Sequence, residues 1–589
     1  MKPTQRALAA SICALIAVAL AASPALARTT SNTKDGRPNI LVIMTDDQAA
    51  ADLSAMPNTA SLLTAQGALF QNAVDSFPLC CPSRATFISG QYAHNHGVGG
   101  NFFPYGWYGM SNRANTLPAW LKASGYYTAA VGKWLNGYGA GKSTDKDSDG
   151  NPLTTNGEIP AGFDNWNGAL DVSAYDYFNF KLNQNGKVNS WGDSKYAQAL
   201  VDFAEIQVIP PASKSISTVL NWSAKYFKGS PSDPTTYGYQ GATGCDSASK
   251  RFTTKGCYSP DVTAGISDSI IKSQRTSSKP FFLWWSPAAP HREDVNGGIR
   301  NGYRNNVHYR GTASNPKVED TTKLVPDPRP APRYASTKWD WTKITGKPNY
   351  DAAPTNKPIK QQLIMANPMS TIDRTRLEVN YSGRLSSLKA VDDGVKKILD
   401  TLKATKQLDN TLILFTSDNG WLQGEHRIPG DKYLPYEESI RITFIMKGPG
   451  IPKNRKVTNL VSNIDFAATL LDVAKATPGR VLDGMSLIGL AKGTANPTPR
   501  AIALEATAPL FADASMPQQW DQPYKGVRTD RWKYVEWGTG EKELYDLQAD
   551  PYELTNLADN SLYAAIQSAL AAKMNALKDC AGANCQVAQ

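Results

Sequence analysis

The chain has 589 residues, with 62 lysines and arginines against 52 aspartates and glutamates, which gives a formal net charge of +10. This length is sufficient for two domains and a large core. The positive excess is mild, and no cluster of lysine and arginine predicts a nucleic-acid groove. No stretch after the N-terminus is apolar for long enough to predict a membrane span.

Residues 1–27 have the pattern of a secretory signal peptide. Lys2 and Arg6 form a basic start, residues 7–22 are apolar, and small residues ending at Ala27 offer a cleavage site. Cleavage would remove two basic residues and no acidic one, so the net charge would fall from +10 to +8. We therefore predict an exported protein, periplasmic or secreted, that is cleaved near Ala27.

The first predicted strand is the apolar run Asn39–Met44. The run is short and rich in β-branched residues, which predicts a strand buried on both faces. Asp46 and Asp47 follow it directly. Such residues form turns, but an open α/β sheet also places its functional site beyond the C-terminal ends of its strands.

The next element is a short helix that begins within residues 80–84, Cys-Cys-Pro-Ser-Arg, and that Gly90 ends. Proline suits the first turn of a helix and glycine suits the residue after its end. Free N–H groups and the helix dipole favour an anion beside Cys80, and Arg84 can point to the same place. The structural alternative is a cysteine that only packs beside a helix-starting proline.

The middle of the chain predicts a second strand, a set of insertions and a long helix. The apolar run Phe281–Trp285 leads to Pro290 and His291. Around it, residues 191–350 are rich in Pro, Gly, Ser, Lys and Trp with weak periodicity, which predicts long insertions on the main domain. Apolar residues recur at helical spacing from Arg376 to Ala404, so this segment predicts a helix that covers the sheet.

A third apolar run, Thr411–Thr416, ends at Asp418 and Asn419. We expect this strand to lie beside the first one, so that its polar end meets Asp46 and Asp47. Clustered carboxylates raise one another's pKa, and a divalent cation removes that conflict. An irregular set of oxygen ligands favours calcium over magnesium. The alternative is that these residues only form turns.

The C-terminal part predicts a smaller unit of antiparallel sheet and helix. Asp465–Ala474 predicts an amphipathic helix, and a linker rich in Pro, Thr and Asn follows near residues 493–499. Residues 524–529, 531–536 and 543–547 predict strands, and residues 550–557 lead into a terminal helix. The predicted units are a main domain of residues 28–492, a small domain of residues 500–579 and a tail of residues 580–589.

Four of the seven cysteines form two pairs that are close in sequence. Cys245 lies near Cys257, and Cys580 lies near Cys585. In an oxidising compartment each pair could close a small loop as a disulfide.

The motif at residues 80–84 matches the C-x-P-S-R signature of the type I sulfatases, and the chain resembles that family over nearly all of its mature length. Ser89-Gly90-Gln91-Tyr92 with His94-Asn95-His96 is similar to the extended signature of the branch that contains N-acetylglucosamine-6-sulfatases and heparan-sulfate 6-O-sulfatases. The resemblance implies an α/β fold of the alkaline-phosphatase type, with a mixed sheet flanked by helices and a smaller C-terminal domain of antiparallel sheet plus helix. It also implies that residues 28–492 are the catalytic domain.

The resemblance assigns roles to particular residues. In this family a formylglycine-generating enzyme oxidises the first cysteine of the signature, here Cys80, and the hydrated aldehyde on a calcium ion attacks sulfur. Arg84 would hold the formylglycine, and Lys133 and Lys432 would bind sulfate. His291 would donate a proton to the leaving oxygen or bind sulfate. The implied calcium ligands are Asp46, Asp47, Cys80, Asp418 and Asn419.

One position departs from the pattern of many sulfatases, which carry a histidine two residues after the lysine that matches Lys133. This chain has Leu135 there, followed by Asn136, as in the N-acetylglucosamine-6-sulfatase branch. His94, His96 and Asn136 are therefore candidate substrate-binding residues, and either histidine could supply the missing proton acceptor. The alternative for both histidines is a hydrogen-bonded role at a helix end.

The expected function is hydrolysis of sulfate monoesters of a small substrate, either a sulfated sugar or an aryl sulfate. A divalent cation, three aspartates, one arginine and two lysines leave the predicted site with a net charge of +2, which suits a sulfate monoester. The same charge suits a phosphate monoester, so a phosphoester or phosphonate hydrolase of the same superfamily is an alternative. A catalytically dead protein that binds sulfated glycans is the other alternative.

Overall fold

The computed structural model describes residues 36–101, 104–140, 157–177, 179–192, 257–293, 331–334, 337–354, 356–358, 367–507 and 522–589, with residues 150, 328 and 362. The predicted signal peptide, Cys245 and most of residues 191–350 lie outside the described residues. In the part of the chain that is described, no helix is both long enough and apolar enough to cross a membrane.

A ten-stranded mixed sheet forms the centre of the molecule, in the order β11-β2-β10-β9-β1-β8-β4-β5-β6-β7, and β3 pairs with β12 beside it. The strands are β1 (Asn39–Thr45), β2 (Ala68–Phe70), β3 (Ala73–Val74), β4 (Tyr127–Lys133), β5 (Asn165–Ala169), β6 (Asn179–Gln184), β7 (Lys187–Gly192), β8 (Phe281–Ser286), β9 (Thr411–Ser417), β10 (Phe444–Lys447), β11 (Arg455–Val457) and β12 (Val461–Ser462).

The three predicted strands are confirmed as β1, β8 and β9, and they are adjacent. Strand β1 runs parallel to both neighbours, with Ile43 opposite Trp285 on one side and Phe415 on the other. Every residue of the three strands is buried. This burial explains why the three segments are continuous apolar runs rather than alternating patterns.

Helices cover both faces of the sheet. The longer ones are α1 (Cys80–Ser89), α2 (Leu117–Ala123), α3 (Ser259–Ser273), α4 (Thr371–Ala404), α5 (Asp465–Ala474) and α6 (Ala564–Leu577). Shorter helical turns span Pro57–Thr59, Ala93–His96, Gly106–Gly109, Thr342–Thr345, Glu437–Ile440 and Ile488–Lys492. Helix α4 confirms the predicted long helix, and it begins at Thr371 because Ser370 and Asp373 form a capping box. Helices α3 and α4 pack on one face, and α1, α2 and α5 pack on the other.

The C-terminal unit is a four-stranded antiparallel sheet formed by β13 (Ile502–Ala506), β14 (Tyr524–Arg528), β15 (Trp532–Trp537) and β16 (Lys542–Asp546). Helix α6 packs on this sheet. The fold class is therefore confirmed, although β13 was not predicted. The Cys580–Cys585 disulfide is present, and Cys257 is also disulfide-bonded.

Candidate active site

The carboxylates after β1 and β9 meet because the two strands are in register, with Thr45 opposite Ser417. This pairing confirms that the two strands are neighbours. The backbone N–H of Asp47 donates to Oδ1 of Asp418 at 3.0 Å. Nδ2 of Asn419 donates to Oδ1 of Asp47 at 2.8 Å. All of these side chains are buried, so the site lies below the protein surface at the C-terminal ends of the central strands.

Cys80 is the first residue of α1 and faces these carboxylates. Its Sγ lies 3.5 Å from Oδ1 of Asp46 and 3.9 Å from Oδ1 of Asp47. Nζ of Lys432 lies 2.7 Å from the same sulfur. Burial raises the pKa of the Cys80 thiol to about 12, although Lys133 and Lys432 oppose that rise. The unmodified side chain is therefore a protonated thiol at neutral pH, which is a poor nucleophile.

Each of the three aspartates has a cation beside it. At the end of β4, Lys133 places Nζ 2.5 Å from Oδ2 of Asp46. Lys432 forms an ion pair with Asp47. Arg84 places Nε 2.8 Å from Oδ2 of Asp418. Burial lowers the pKa of each lysine, but the neighbouring carboxylates raise it above its ordinary value, so both lysines are charged.

His291 lies after β8 with one ring nitrogen turned to the backbone. Its Nδ1 is 2.6 Å from the carbonyl oxygen of Arg292. A carbonyl only accepts, so Nδ1 carries the proton and Nε2 is bare in the neutral ring. Burial holds the pKa of His291 well below its usual range. The bare Nε2 faces Oδ2 of Asp47 at 3.5 Å, so two acceptors confront each other.

These residues fit a divalent cation. Oδ2 of Asp47 and Oδ1 of Asn419 are buried and have no hydrogen-bond partner among the described residues, whereas buried polar atoms are normally satisfied. Ligand atoms of Asp46, Asp47, Cys80 and His291 all lie within 4.8 Å of one another. Burial and the charge of Asp418 raise the pKa of Asp46 to about 7. A cation would supply a partner for the bare oxygens and would offset the crowding of negative charge.

Arg384 on α4 supports the site and was not predicted. Its Nη2 donates to the carbonyl of Asp47 at 2.5 Å, and its Nη1 donates to the carbonyl of Pro290 at 3.2 Å. Asp47 has a left-handed backbone with φ of 63°, a conformation that is uncommon outside glycine. One buried guanidinium therefore holds both the Asp47 turn and the residue before His291. A charged residue on the apolar stripe beside Leu385 was the signal in the sequence that could have indicated it.

Tyr175 also lies in the site and was not predicted. Its ring stacks on the imidazole of His291, with centroids 4.0 Å apart and an interplanar angle of 21°. Nζ of Lys133 lies 4.7 Å from the ring centroid. Nδ2 of Asn136 donates to its hydroxyl at 2.8 Å. Asn136 therefore reaches the site through Tyr175, which lies in an irregular segment without a sequence signal.

The structure does not bring His94 and His96 to this group of residues. His94 lies 2.9 Å through Nδ1 from Glu505 and 2.9 Å through Nε2 from the carbonyl of Cys580. Nε2 of His96 lies 3.0 Å from the hydroxyl of Thr86, and its Nδ1 accepts from a backbone N–H. Burial lowers the pKa of His96 to about 3, so this ring is neutral. Both rings use their two nitrogens within the protein.

Comparisons with known proteins identify the family of the chain. The chain matches the family described as Sulfatase over residues 38–476 and the domain described as N-sulphoglucosamine sulphohydrolase, C-terminal, over residues 424–580. It is 28% identical to an N-acetylglucosamine-6-sulfatase of Capra hircus, covering 93% of this chain and 85% of the relative. It is also 28% identical to an arylsulfatase of Volvox carteri, covering 93% of this chain and 76% of the relative.

Two solved structures share the fold. One is described as a complex with its substrate D-glucosamine-2-N,6-O-disulfate; the TM-score is 0.57 and the identity 21%, covering 92% of this chain and 97% of that one. The other is a phosphonate monoester hydrolase of Agrobacterium radiobacter; the TM-score is 0.58 and the identity 20%, covering 92% and 95%. At this identity the likeness concerns the fold alone.

Proposed function

We propose that this chain, which belongs to the sulfatase family, hydrolyses sulfate monoesters with a formylglycine formed from Cys80 and with a bound calcium ion. One observation carries the proposal. The side chain of Cys80 lies at a buried point where strand-end carboxylates and the ammonium group of Lys432 converge, as the hydrogen-bond distances around its sulfur record. An anionic ester and a cation can both be held there.

Sulfated sugars are the favoured substrate class. The relative from Capra hircus is named for N-acetylglucosamine 6-sulfate, and one structural neighbour holds a glucosamine disulfate. The arylsulfatase relative supports aryl sulfates as a second set of substrates. Arg84, Lys133 and Lys432 with a divalent cation would outweigh the three aspartates, which leaves the positive charge that a sulfate monoester requires.

Oxidation of Cys80 would replace a protonated thiol, which is a poor nucleophile, with a better one. Because the pKa of this thiol is raised to about 12, it would rarely be a thiolate at neutral pH. A formylglycine supplies, as its hydrate, a hydroxyl nucleophile at the same position. A formylglycine-generating enzyme would be needed during maturation.

The residues that would hold calcium are Asp46, Asp47, Asp418 and Asn419, with the modified residue 80. Their donor atoms are mainly oxygens, which calcium prefers. The ion would add two positive charges beside residue 80, which lowers the pKa of a hydroxyl there.

The cationic side chains would bind and orient the ester. Nζ of Lys432 lies 2.7 Å from the sulfur of Cys80, and Nζ of Lys133 lies 2.5 Å from Asp46 beside it, so both ammonium groups would bind the sulfate oxygens. Arg84 is anchored by Asp418 and by Oγ of Ser286 at 2.8 Å, so it would hold residue 80 in place. Nε2 of His291 faces the site, and it is the atom through which that ring would exchange a proton with the leaving oxygen.

The proposed location is outside the cytoplasm. The predicted signal peptide supports export, and the Cys580–Cys585 disulfide suits an oxidising compartment. Two further relatives are named as extracellular sulfatase homologues.

Mass spectrometry of the peptide that contains residue 80 tests the nucleophile, and an aldehyde in place of the thiol is the expected result. Turnover of N-acetylglucosamine 6-sulfate, nitrophenyl sulfate and nitrophenyl phosphate tests the reaction. We expect the sulfate esters to be hydrolysed faster. Dominant phosphatase activity would favour the phosphoester alternative, and binding of sulfated sugar without turnover would favour the glycan-binding alternative.

A further inference from the structure

Tyr175 presents a hydrogen-bond donor that the described residues leave unused. The residue is 6% exposed. The hydroxyl accepts a hydrogen bond from Asn136, so its own proton must point elsewhere. Among the described residues none accepts a hydrogen bond from this hydroxyl, whose only hydrogen bond there is the one from Asn136. Buried polar groups are normally hydrogen-bonded, so this unused donor is available to a ligand or a water.

The position of Tyr175 relates this donor to the reaction. Its ring lies against His291 and beneath Nζ of Lys133, the two groups proposed to meet the leaving oxygen and the sulfate. Acceptance of a hydrogen bond from Asn136 polarises the phenol and makes it a better donor. Oδ1 of Asn136 is buried and also lacks a hydrogen-bond partner in the described ranges.

We infer that Tyr175 is a substrate-binding residue whose hydroxyl donates a hydrogen bond to an oxygen of the bound sulfate group. Asn136 is the positioning residue that orients this hydroxyl. The inference rests on the proposed function for the nature of the ligand. Under this inference Asn136 acts on the substrate by orienting Tyr175 and does not contact the sugar itself.

The test is Tyr175→Phe, which keeps the ring on His291 and removes only the hydroxyl. Hydrogen bonds to charged groups are worth about 1.5–3 kcal/mol, so kcat/KM for nitrophenyl sulfate should fall about 10- to 100-fold. The inhibition constant of inorganic sulfate should rise about tenfold. Asn136→Ala keeps the hydroxyl but frees its rotation, so it should lower kcat/KM by less, roughly three- to tenfold. Thermal unfolding should change little in Tyr175→Phe.

Tyr126→Phe is the matched control. Tyr126 is a buried tyrosine whose hydroxyl donates to the carbonyl of Pro38 at 2.8 Å, just before β1 and at the opposite end of that strand from the site. Its loss should leave kcat/KM and sulfate inhibition unchanged. If Tyr175→Phe keeps both constants within twofold of the wild type, the inference is wrong.

Failure of the proposed function would give a different result. A wild-type protein that turns over no sulfate ester would defeat the proposed reaction. Titration of inorganic sulfate into wild type and Tyr175→Phe by calorimetry would still test the hydroxyl, because binding needs no turnover. Equal sulfate affinity of the two proteins would then overturn the inference by itself.

Discussion

Two clusters of buried charge in this protein have similar compositions and different organisation. The active site is one, and the other, here called the interface cluster, consists of Glu437, Arg528, Lys533 and Glu553 between the Lys432 loop and the C-terminal sheet. In the interface cluster, Nζ of Lys533 lies 3.1 Å from Glu437 and 2.6 Å from Glu553. Arg528 contacts both oxygens of Glu437, at 3.2 and 3.1 Å. Burial raises the pKa of Glu437, but these cations outweigh it and hold the pKa below its usual range.

In the active site, by contrast, several polar atoms have no partner among the described residues. Within the part of the chain that the structure describes, Oδ2 of Asp47, Oδ1 of Asn419 and Nη2 of Arg84 are buried without a hydrogen-bond partner. In the interface cluster, Oε1 of Glu553 also makes no hydrogen bond to the described residues, but it lies 2.6 Å from the ammonium group of Lys533. A buried network in which each carboxylate faces a cation holds elements together, whereas several polar atoms without partners at one point can receive a ligand. The interface cluster and the active site are connected through one loop. Lys533 donates to the carbonyl of Pro435 at 2.6 Å, and Pro435 lies on the loop that carries Lys432. The C-terminal sheet therefore supports one wall of the site.

The largest effect should come from Cys80→Ala, which removes the proposed nucleophile. Loss of a nucleophile lowers kcat by about a thousandfold or more. Cys81→Ala is the matched control, because the thiol of Cys81 is as buried as that of Cys80 but packs in the hydrophobic core. We expect the control to keep most of its activity. Full activity of Cys80→Ala in a sulfate ester assay would refute the assignment.

Removal of the proposed calcium ion should affect the active site and leave the interface cluster intact. Chelation with EDTA should abolish activity and lower the free energy of unfolding by about 3–4 kcal/mol, the value expected when ligand exceeds its dissociation constant by 100- to 1,000-fold. Added Ca²⁺ should restore both in the wild type. Asp418→Ala should lower activity about a hundredfold or more and should gain less stability from Ca²⁺. Activity that survives EDTA treatment would contradict the metal site.

Lys533→Met should break the interface cluster without touching the reacting atoms. It leaves Glu437 and Glu553 buried without their shared cation, which costs about 3–5 kcal/mol. Denaturant unfolding at saturating Ca²⁺ measures the loss. Lys542→Met is the control on the same sheet, because Lys542 is 45% exposed and 3.7 Å from Glu536. The control should change stability by less than about 0.5 kcal/mol, and an equal loss in both variants would show that the cluster adds nothing.

The smallest effect concerns the contact between Glu505 and His94. Burial raises the pKa of Glu505, but the hydrogen bond from His94 and the charge of Lys525 lower it from 4.5 to about 2. A lowered folded-state pKa stabilises the fold above pH 4.5 and loses that stabilisation as the pH falls towards 2. The full contribution is about 3 kcal/mol, of which about 2 kcal/mol should vanish between roughly pH 5 and pH 3.

Glu505→Gln should lack this part of the acid slope in denaturant unfolding. Its KM for a sulfate ester at neutral pH should match that of the wild type, because His94 contacts Glu505 and the Cys580 carbonyl rather than the site. A raised KM would return His94 to the set of substrate-binding residues. An unchanged acid slope would show that this contact does not stabilise the fold.

Much of the fold followed from local pattern. The apolar runs of β1, β8 and β9 identified the central strands, because strands buried on both faces need continuous apolar sequence. The helix at Cys80 followed from its proline and from Gly90, which has the expected left-handed φ of 68°. The other seven strands of the central sheet were missed, as were the β3–β12 pair and β13, because short segments of mixed composition give no clear period of two. Helix α3 was also missed, since it lies within residues 191–350, which were predicted as insertions.

The sequence by itself determined the central strands, the acidic residues after them, the helix that presents Cys80 and the family to which the chain is similar. These depend on spacing and on residues that are close along the chain. Only the tertiary structure decided that Tyr175 and Arg384 join the site and that His94 and His96 turn away from it. Arg384 meets the carbonyl of Asp47 across 337 positions, and such contacts depend on how whole helices and strands pack, which no local pattern specifies.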